Sequence, residues 1–481
     1  MNLRVVALLT SNLLFLVAVP MLLPLVLAIV DAQLRSAVAY AVAALVTAAA
    51  ATLLRRAGRG APDVLHRKDA IGVVALTWIC LGIVGAIPFL VEGSIRHPAS
   101  ALFEAVSGFT TTGATVVADI DGLSRATNLW RCLIHWLGGM GIVVLFVAVF
   151  PQLGVGAKHL FRTEVPGPIT EGLRPKIKQT ALSLWWIYMA LTAAAGVLLF
   201  LAGMPVYDAI CHAFSTLGTG GFSTKSASVG AYNNGLVDWI ITAFMLVAGL
   251  NFGLFYGAMK GQVRQLLTNY EVRFFLLVNA VVIAIVFVCI RERHPDALTA
   301  LRFASFQTAA VTSTTGFMTE DFDKYPDVAR FALFLCMFMG GCAGSTAGGI
   351  KASRVYALLK LASKEVRAMV QPSAVVAIRL GRSAVQPEVL REIAVYVTTF
   401  FLIFGVASLC MVALGLDLLS AMSAVVACLS SVGPGLGSVG PSMSFEPIPP
   451  IGKLVLTFCM IAGRLEIFAL LAILSPTVWR K

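Results

Sequence analysis

The stretch SFQTAAVTSTTGFMTEDFDKYPDVARFALFLCMFMGGCAGSTAGGIK, residues 305–351, decides how the rest of the chain is read. It opens with a short run of apolar and small residues, 305–311, and turns at Ser313, Thr314, Thr315 and Gly316. An acidic loop with Glu320, Asp321, Asp323 and Asp327 follows. An apolar segment then starts near Val328 and is interrupted by GGCAGSTAGG, residues 340–349. Each glycine inside a helix costs about 1 kcal/mol against Ala, and five lie within these ten residues: Gly340, Gly341, Gly344, Gly348 and Gly349. Irregular backbone at membrane depth persists only where it is buried in protein or lines a watery cavity. The stretch therefore predicts a re-entrant pore loop followed by a broken helix. The simpler alternative is a glycine-rich loop outside the membrane. Its first half recurs three more times along the chain, which favours the pore loop.

The chain has 481 residues, 58% hydrophobic and 12% charged, where soluble proteins carry about 25% charged residues. That composition excludes a soluble protein. At least eight apolar runs are long enough to cross roughly 30 Å of hydrocarbon. The nine cysteines are scattered through apolar runs without a CxxC or a nearby His at metal spacing, so they read as small core residues. The net charge of +12 falls mostly in certain loops, so it reflects membrane topology and not nucleic acid.

Residues 3–30 and 37–54 are two ordinary apolar spans, broken only by Pro20 and Pro24. The first lacks a small-residue cleavage site and is expected to be retained. After the basic loop 55–68 the chain repeats one pattern four times: a long apolar helix, a short segment ending in a Ser/Thr/Gly turn, a polar loop, and a second long apolar helix. The turns are FEAVSGFTTTGAT (103–115), CHAFSTLGTGGFST (211–224), FQTAAVTSTTGF (306–317) and MSAVVACLSSVGPGLG (422–437). Aligned on the turn, the glycines are Gly113, Gly221, Gly316 and Gly433. Gly220 could substitute for Gly221, but Gly-Phe also occurs at Gly316 and Phe317, which favours Gly221. The spacing is too long for a solenoid repeat and fits a unit of helix, pore loop and helix.

The expected fold is thus an all-α membrane protein with about ten transmembrane helices and four pore-loop repeats forming one pseudo-fourfold pore. Residues 1–69 hold two extra helices, and 70–160, 161–265, 266–375 and 376–481 hold the repeats, the third with the intramembrane loop. With the N-terminus inside, segments 1–4, 55–69, 151–178, 259–273, 351–391 and 476–481 are cytoplasmic and carry 24 of the 36 Lys and Arg, the positive-inside pattern. The pore loops then enter from outside. Their mouths carry Asp119, Asp121, Glu320, Asp321, Asp323 and Asp327, which read either as a cation-concentrating ring or as solvated loop acids.

Four such turns have a chemical use. A cation leaving water loses its hydration shell, and backbone carbonyls aimed at one axis replace it. Glycine permits the dihedrals that aim them. The short helices before each turn point the negative ends of their dipoles the same way.

Several segments resemble the Trk/Ktr/HKT superfamily of potassium transporters, its bacterial Trk branch most closely. They are SGFTTTGAT (107–115), HWLGGMGIVVL (135–145), TEVPGP (163–168), STLGTGGFST (215–224), NFGLFY (251–256), GGCAGSTAGGIK (340–351) and GRLEIF (463–468). The resemblance implies potassium (K+) uptake across the bacterial inner membrane, a homodimer, and a cytosolic nucleotide-binding regulatory subunit of the TrkA type. Any nucleotide belongs to that subunit, because the chain has no GxGxxG loop with a following helix and acid. The family's potassium-filter positions fall on Thr111, Thr112, Gly113, Gly220, Gly221, Thr315, Gly316, Val432 and Gly433, mainly through backbone carbonyls. Only the fourth turn, SVGPG, comes near the TVGYG of potassium channels, which implies weaker discrimination against sodium. A serine in the first turn accompanies sodium transport in plant relatives, so Gly113 favours potassium.

The resemblance also implies a gate built from Gly340, Gly341, Gly344, Ser345, Thr346, Gly348 and Gly349, with Lys351 at the inner mouth. Arg464 lies in an otherwise uncharged apolar run and is expensive there. It is expected to face the pore and donate to loop carbonyls; snorkelling to the interface is the alternative. His135 and Trp136 read as interface residues. A potassium/sodium-coupled or proton-coupled symporter is the alternative function, but it would favour inverted repeats and paired mid-span carboxylates. An enzyme is not expected, for no Ser/His, Asp/Asp or HExxH arrangement stands at membrane depth.

Overall fold

A computed structural model describes residues 1–62, 66–139, 141, 176–371, 377–381 and 383–474. The quoted segment 163–168 and most of 140–145 lie outside the described residues, as do residues 151–175 of the segment 151–178 expected to be cytoplasmic and all of 476–481.

The chain opens with α1 (Leu3–Ala18) and α2 (Leu22–Val30), which form one apolar span interrupted at Pro20, and α3 (Leu34–Ala57) packs back on it. Four repeats follow. Each begins with a long apolar helix: α4 (Arg67–Glu92), α7 (Lys176–Leu201), α12 (Tyr270–Ile290) and α16 (Pro387–Ala413). These four and the two N-terminal spans are the six helices among the described residues long and apolar enough to cross alone. Their outer faces carry exposed Trp186, Leu201, Val288 and Leu409, which is the inversion expected when lipid is the solvent.

Each long helix leads to a short one that ends at a turn: α5 (Pro98–Phe109), α8 (Val206–Leu217), α13 (Ala297–Thr312) and α17 (Leu418–Leu429). Asp296 and Asp417 cap α13 and α17 by accepting the N–H groups of Thr299 and Ser420, a side-chain acceptor where the helix has free donors. The second helix of each repeat is α6 (Arg125–Gly139), α9 (Gly235–Ala248), α14 (Asp327–Cys336) and α18 (Pro450–Arg464).

The last three of these second helices are not the long uninterrupted spans expected from hydropathy: α9, α14 and α18 run for 14, 10 and 15 residues, while α6 is described for 15 residues as far as Gly139. After α9 the chain bends by 92° into α10 (Phe252–Met259), which leads to α11 (Val263–Thr268). After α14 comes the glycine-rich loop, then α15 (Ala352–Val370). A two-residue antiparallel pair, Arg379–Leu380 with Ser383–Ala384, precedes α16. After α18 the left-handed residues Glu466 (φ +55°) and Ile467 (φ +60°) end the helix before α19 (Phe468–Leu474).

The repeats pack as a ring. α6 lies on α8, α9 on α13, and α18 on α5, so the last repeat closes on the first. On the remaining side Leu333 and Met337 share a buried cluster with Val426 and Val432. The short helices sit inside this ring, with nine of the twelve residues buried in each of α5 and α17. The chain is a multi-pass membrane protein with one pseudo-fourfold centre.

Candidate ion pathway

The four turns share one backbone conformation. Thr111, Thr219, Thr314 and Ser431 all adopt left-handed φ between +53° and +57°. Two residues later Gly113, Gly221, Gly316 and Gly433 have φ of +80°, +80°, +74° and +98°. Gly221, not Gly220, is therefore the equivalent glycine. The residue between donates its N–H to the carbonyl five residues back: Thr112 to Ser107 at 2.8 Å, Gly220 to Ser215 at 2.9 Å, Thr315 to Ala310 at 2.8 Å, and Val432 to Ala427 at 2.8 Å. This is the closure that ends a helix on a left-handed residue, made here with Thr or Ser in the strained position.

The turns meet one another in cyclic order. A Cβ on Gly113 would fall within 3.0 Å of the Gly220 carbonyl oxygen, and one on Gly221 equally close to that of Thr315. The same holds for Gly316 against Val432 and for Gly433 against Thr112. Four turns from positions about 100 residues apart thus form a closed ring of backbone with no space for a side chain between neighbours. All four glycines border one outer cavity of about 330 Å³.

No carboxylate lines that cavity among the described residues. Five of the six expected mouth acids have basic partners. Asp121 pairs with Lys225 at 3.3 Å, Asp321 with Lys324 at 3.3 Å, and Asp323 and Asp327 with Arg330 at 2.8 and 3.1 Å. Glu320 lies 3.4 Å from His294, and Asp119 accepts the Gly122 N–H at 3.1 Å. The Ser226 N–H, helped by Lys225, holds the Asp121 carboxyl below its usual value. The acids therefore tie loops together and do not form a ring at the mouth.

Behind the turns stands a set of polar groups that the sequence reading missed. Glu104 and Arg131 form an ion pair at 2.8 Å with both side chains fully buried. His135 and Trp136 are also inside and not at an interface. His135 is fully buried and stacked on Phe222 with ring centroids 4.0 Å apart, directly behind Gly220. Trp136 packs among Trp185, Tyr188 and Phe214. An interface position would put them near a helix start, but α6 begins at Arg125 and its packing against α8 puts them behind the ring.

On the inner side, residues 340–351 fold back under the turns. Gly348 donates its N–H to Thr314 Oγ1 at 2.7 Å, and a Cβ on Gly348 would strike the Ser430 carbonyl. The loop leans on the bend after α9: Cys342 N–H donates to Gly249 O at 2.8 Å, Phe252 N–H to Gly344 O at 3.0 Å, and Thr346 Oγ1 to Ala248 O at 3.2 Å. Glu271 at the start of α12 accepts the N–H groups of Ala343 at 2.7 Å and Ser353 at 3.0 Å. Gly340 and Gly341 form the base of the loop, where Gly340 N–H donates to Ile350 O at 3.0 Å.

Gly344, Ser345, Thr346, Gly348, Gly349, Lys351 and Arg464 line one inner cavity of about 90 Å³. Arg464 does not snorkel. Its guanidinium donates to Thr346 O at 3.0 Å, Thr111 Oγ1 at 3.4 Å, Gly139 O at 3.2 Å, and Gly138 O. It therefore bridges the loop, the first turn and the end of α6. The buried Lys351 donates from Nζ to Ala347 O. Glu466 borders the same cavity and pairs with Arg354 at 2.6 Å. The left-handed break that points Glu466 there left no signal in the apolar run.

Residues 35–480 match the family model TrkH, described as a cation transport protein. The chain is 40% identical over 422 residues to the Trk system potassium uptake protein TrkH of Salmonella typhimurium, covering 87% of each. It is 36% identical over 488 residues to a protein of the same name from Halomonas elongata, covering 100% of each. The crystal structure of the potassium transporter TrkH from Vibrio parahaemolyticus superposes with a TM-score of 0.89 at 35% identity, covering 100% of both chains. The matching residues, and a fold shared over the full length, make this chain a member of the TrkH family of cation transport proteins.

Proposed function

We propose that the protein takes up potassium across the bacterial inner membrane through one pore made by a single chain. The observation that carries this reading is the closed ring of four glycine turns, each glycine pressed against the next turn's carbonyl. Backbone from Thr111, Thr112, Gly113, Gly220, Gly221, Thr315, Gly316, Val432 and Gly433 replaces the hydration shell of the ion. Potassium is the assigned ion because the Salmonella and Halomonas relatives are potassium uptake proteins and the Vibrio relative is a potassium transporter. The loop 340–349 is the gate, and Lys351 and Arg464 are the cations that guard it. A cytosolic TrkA-type subunit moves the loop, and two copies of the chain form the working unit. The repeat boundaries 70–160, 161–265, 266–375 and 376–481 belong to the same reading.

Purified protein in liposomes tests it. Potassium flux down its own gradient, with sodium conducted less well, is the expected result. Flux that requires a proton or sodium gradient moves the assignment to a coupled symporter, and no flux of either ion in the presence of the subunit refutes the reading.

Arg464→Ala is expected to raise flux per folded molecule. A hydrogen bond to a charged group contributes about 1.5–3 kcal/mol, so losing the bond to Thr346 O loosens the loop, and a cation that repels permeating ions disappears with it. Arg464→Lys falls between, because it keeps the charge and loses the planar fork. Flux per molecule in Arg464→Ala equal to wild type, measured on purified protein, rules out the barrier role.

A further inference from the structure

The first two turns are tied together by a fully buried ion pair, whereas the exits of the third and fourth are joined by the partly exposed Asp323, which accepts the Gly437 N–H at 3.1 Å and pairs with Arg330 at 2.8 Å. Arg131 Nε donates to Glu104 Oε1 at 2.8 Å, and both side chains are fully buried. From α6 the same guanidinium reaches the segment after the first turn, donating to Thr115 Oγ1 at 3.1 Å. It also reaches the segment after the second turn, donating to Ser223 O at 3.3 Å, and lies 4.1 Å over the Phe222 ring. Glu104 accepts the Val116 N–H at 2.9 Å and the Thr115 hydroxyl at 2.9 Å. Arg131 borders the outer cavity onto which the four glycines open.

Glu104 holds a position that recurs. It stands nine residues before Gly113, as His212 does before Gly221 and Gln307 before Gly316. Each clasps the segment leaving its own turn. His212 Nε2 and Ser223 Oγ are 3.0 Å apart, and Gln307 Nε2 donates to Thr319 Oγ1 at 3.2 Å. In the fourth repeat Ser423, ten residues before Gly433, donates to Leu436 O at 3.1 Å and accepts its N–H at 2.9 Å. Of these four clasps among the described residues, only the first is an ion pair.

We infer that Glu104 and Arg131 are positioning residues for ion selection: their pair fixes the first two turns and balances the charge beside the ion path, which the neutral clasps of the third and fourth turns do not. This rests on the ring of turns being the filter.

The two single variants separate charge from mere support. Glu104→Gln leaves the Arg131 guanidinium uncompensated beside the pathway. The apparent dissociation constant for potassium should rise by about tenfold, the effect of one unbalanced charge acting across roughly a nanometre of protein. Arg131→Gln leaves the carboxylate uncompensated, so the constant should fall by about tenfold while preference for potassium over sodium shrinks. A purely structural role would move both variants the same way.

The measurement is potassium- and sodium-dependent thermal stabilisation of the purified protein, because a ligand that binds only the folded state raises its melting temperature. Reversal potentials on the same preparations report selectivity. Glu104→Gln combined with Arg131→Gln removes both charges and should return the potassium constant toward wild type. If the single variants do not fold, this double variant and the charge-conserving Arg131→Lys carry the test: both should keep the potassium constant and lose selectivity. Gly113→Ser is run in parallel. Shifts of the same sign in the single variants, or unchanged selectivity in all pair variants, overturn the inference while a changed ion ratio in Gly113→Ser leaves the filter standing. An unchanged ratio in Gly113→Ser as well removes the filter reading itself.

Discussion

Deleting residues 341–348, which joins Gly340 directly to Gly349, is expected to leave a folded protein whose flux no longer depends on a cytosolic partner. The two ends of the loop already touch. A Cβ on Gly349 would lie 2.9 Å from the Gly340 nitrogen, and Gly340 N–H donates to Ile350 O at 3.0 Å. Met339 and Ile350 pair as a parallel bridge. The shortened chain therefore needs little new loop closure, and the cost of loop closure depends only weakly on length. What is lost is the plug: the bond from Gly348 to Thr314, the carbonyl of Thr346 that Arg464 holds, and the contact of Gly348 with Ser430. A closed state favoured by about 3 kcal/mol conducts on the order of a hundredfold less than an open one, so partner-free flux should rise by about that factor. Flux from liposomes, with and without the cytosolic subunit, is the measurement. If flux through the shortened protein still requires the subunit, the loop is not the gate.

Serine in place of Gly113, Gly221, Gly316 or Gly433 is expected to raise sodium permeation relative to potassium in each case. Two costs act together. A residue with a side chain is strained at φ of +74° to +98°, and the new Cβ meets the carbonyl of the next turn within 3.0 Å. The carbonyl must move, and the ring that selects by its spacing widens or tilts. Gly433 should be the mildest site, since its Cβ would stand 2.7 Å from the Thr112 oxygen while the other three approach more closely. A strained left-handed residue costs roughly 1–2 kcal/mol, which corresponds to about a tenfold change in an ion ratio if that much is lost from one ion and not the other. Reversal potentials with potassium and sodium on opposite sides decide it, and unchanged ratios in all four variants would falsify the filter assignment.

The mouth acids and Arg464 show where sequence reasoning stops. Six carboxylates after the first and third turns fit a cation-attracting ring as well as they fit loop acids. Only the fold shows that Arg330 reaches Asp323 and Asp327 and that Lys225 reaches Asp121. For Arg464, an intramembrane charge in the sequence demands a partner, but it does not name one. The guanidinium finds carbonyls at Gly138, Gly139 and Thr346, more than a hundred residues away.

The sequence by itself determined what depends on neighbours along the chain. Six spans follow from apolar length, and the turns follow from hydroxyl residues beside a glycine that tolerates the required φ. The inner break follows from five glycines in ten residues. Tertiary structure decided everything that depends on which turn meets which. It set the cyclic order of the four glycines, and the φ values agree with the Gly221 that the Gly-Phe pair already favoured over Gly220. It shortened the second helices through the bend after α9 and the left-handed Glu466 and Ile467. It also joined Glu104 to Arg131, two charges 27 residues apart that a linear reading takes for ordinary surface groups. The physical reason is one of range. Dihedral preference and hydropathy act within a few residues, whereas a carbonyl ring and a buried ion pair exist only after helices from separate repeats have packed and excluded water from between them.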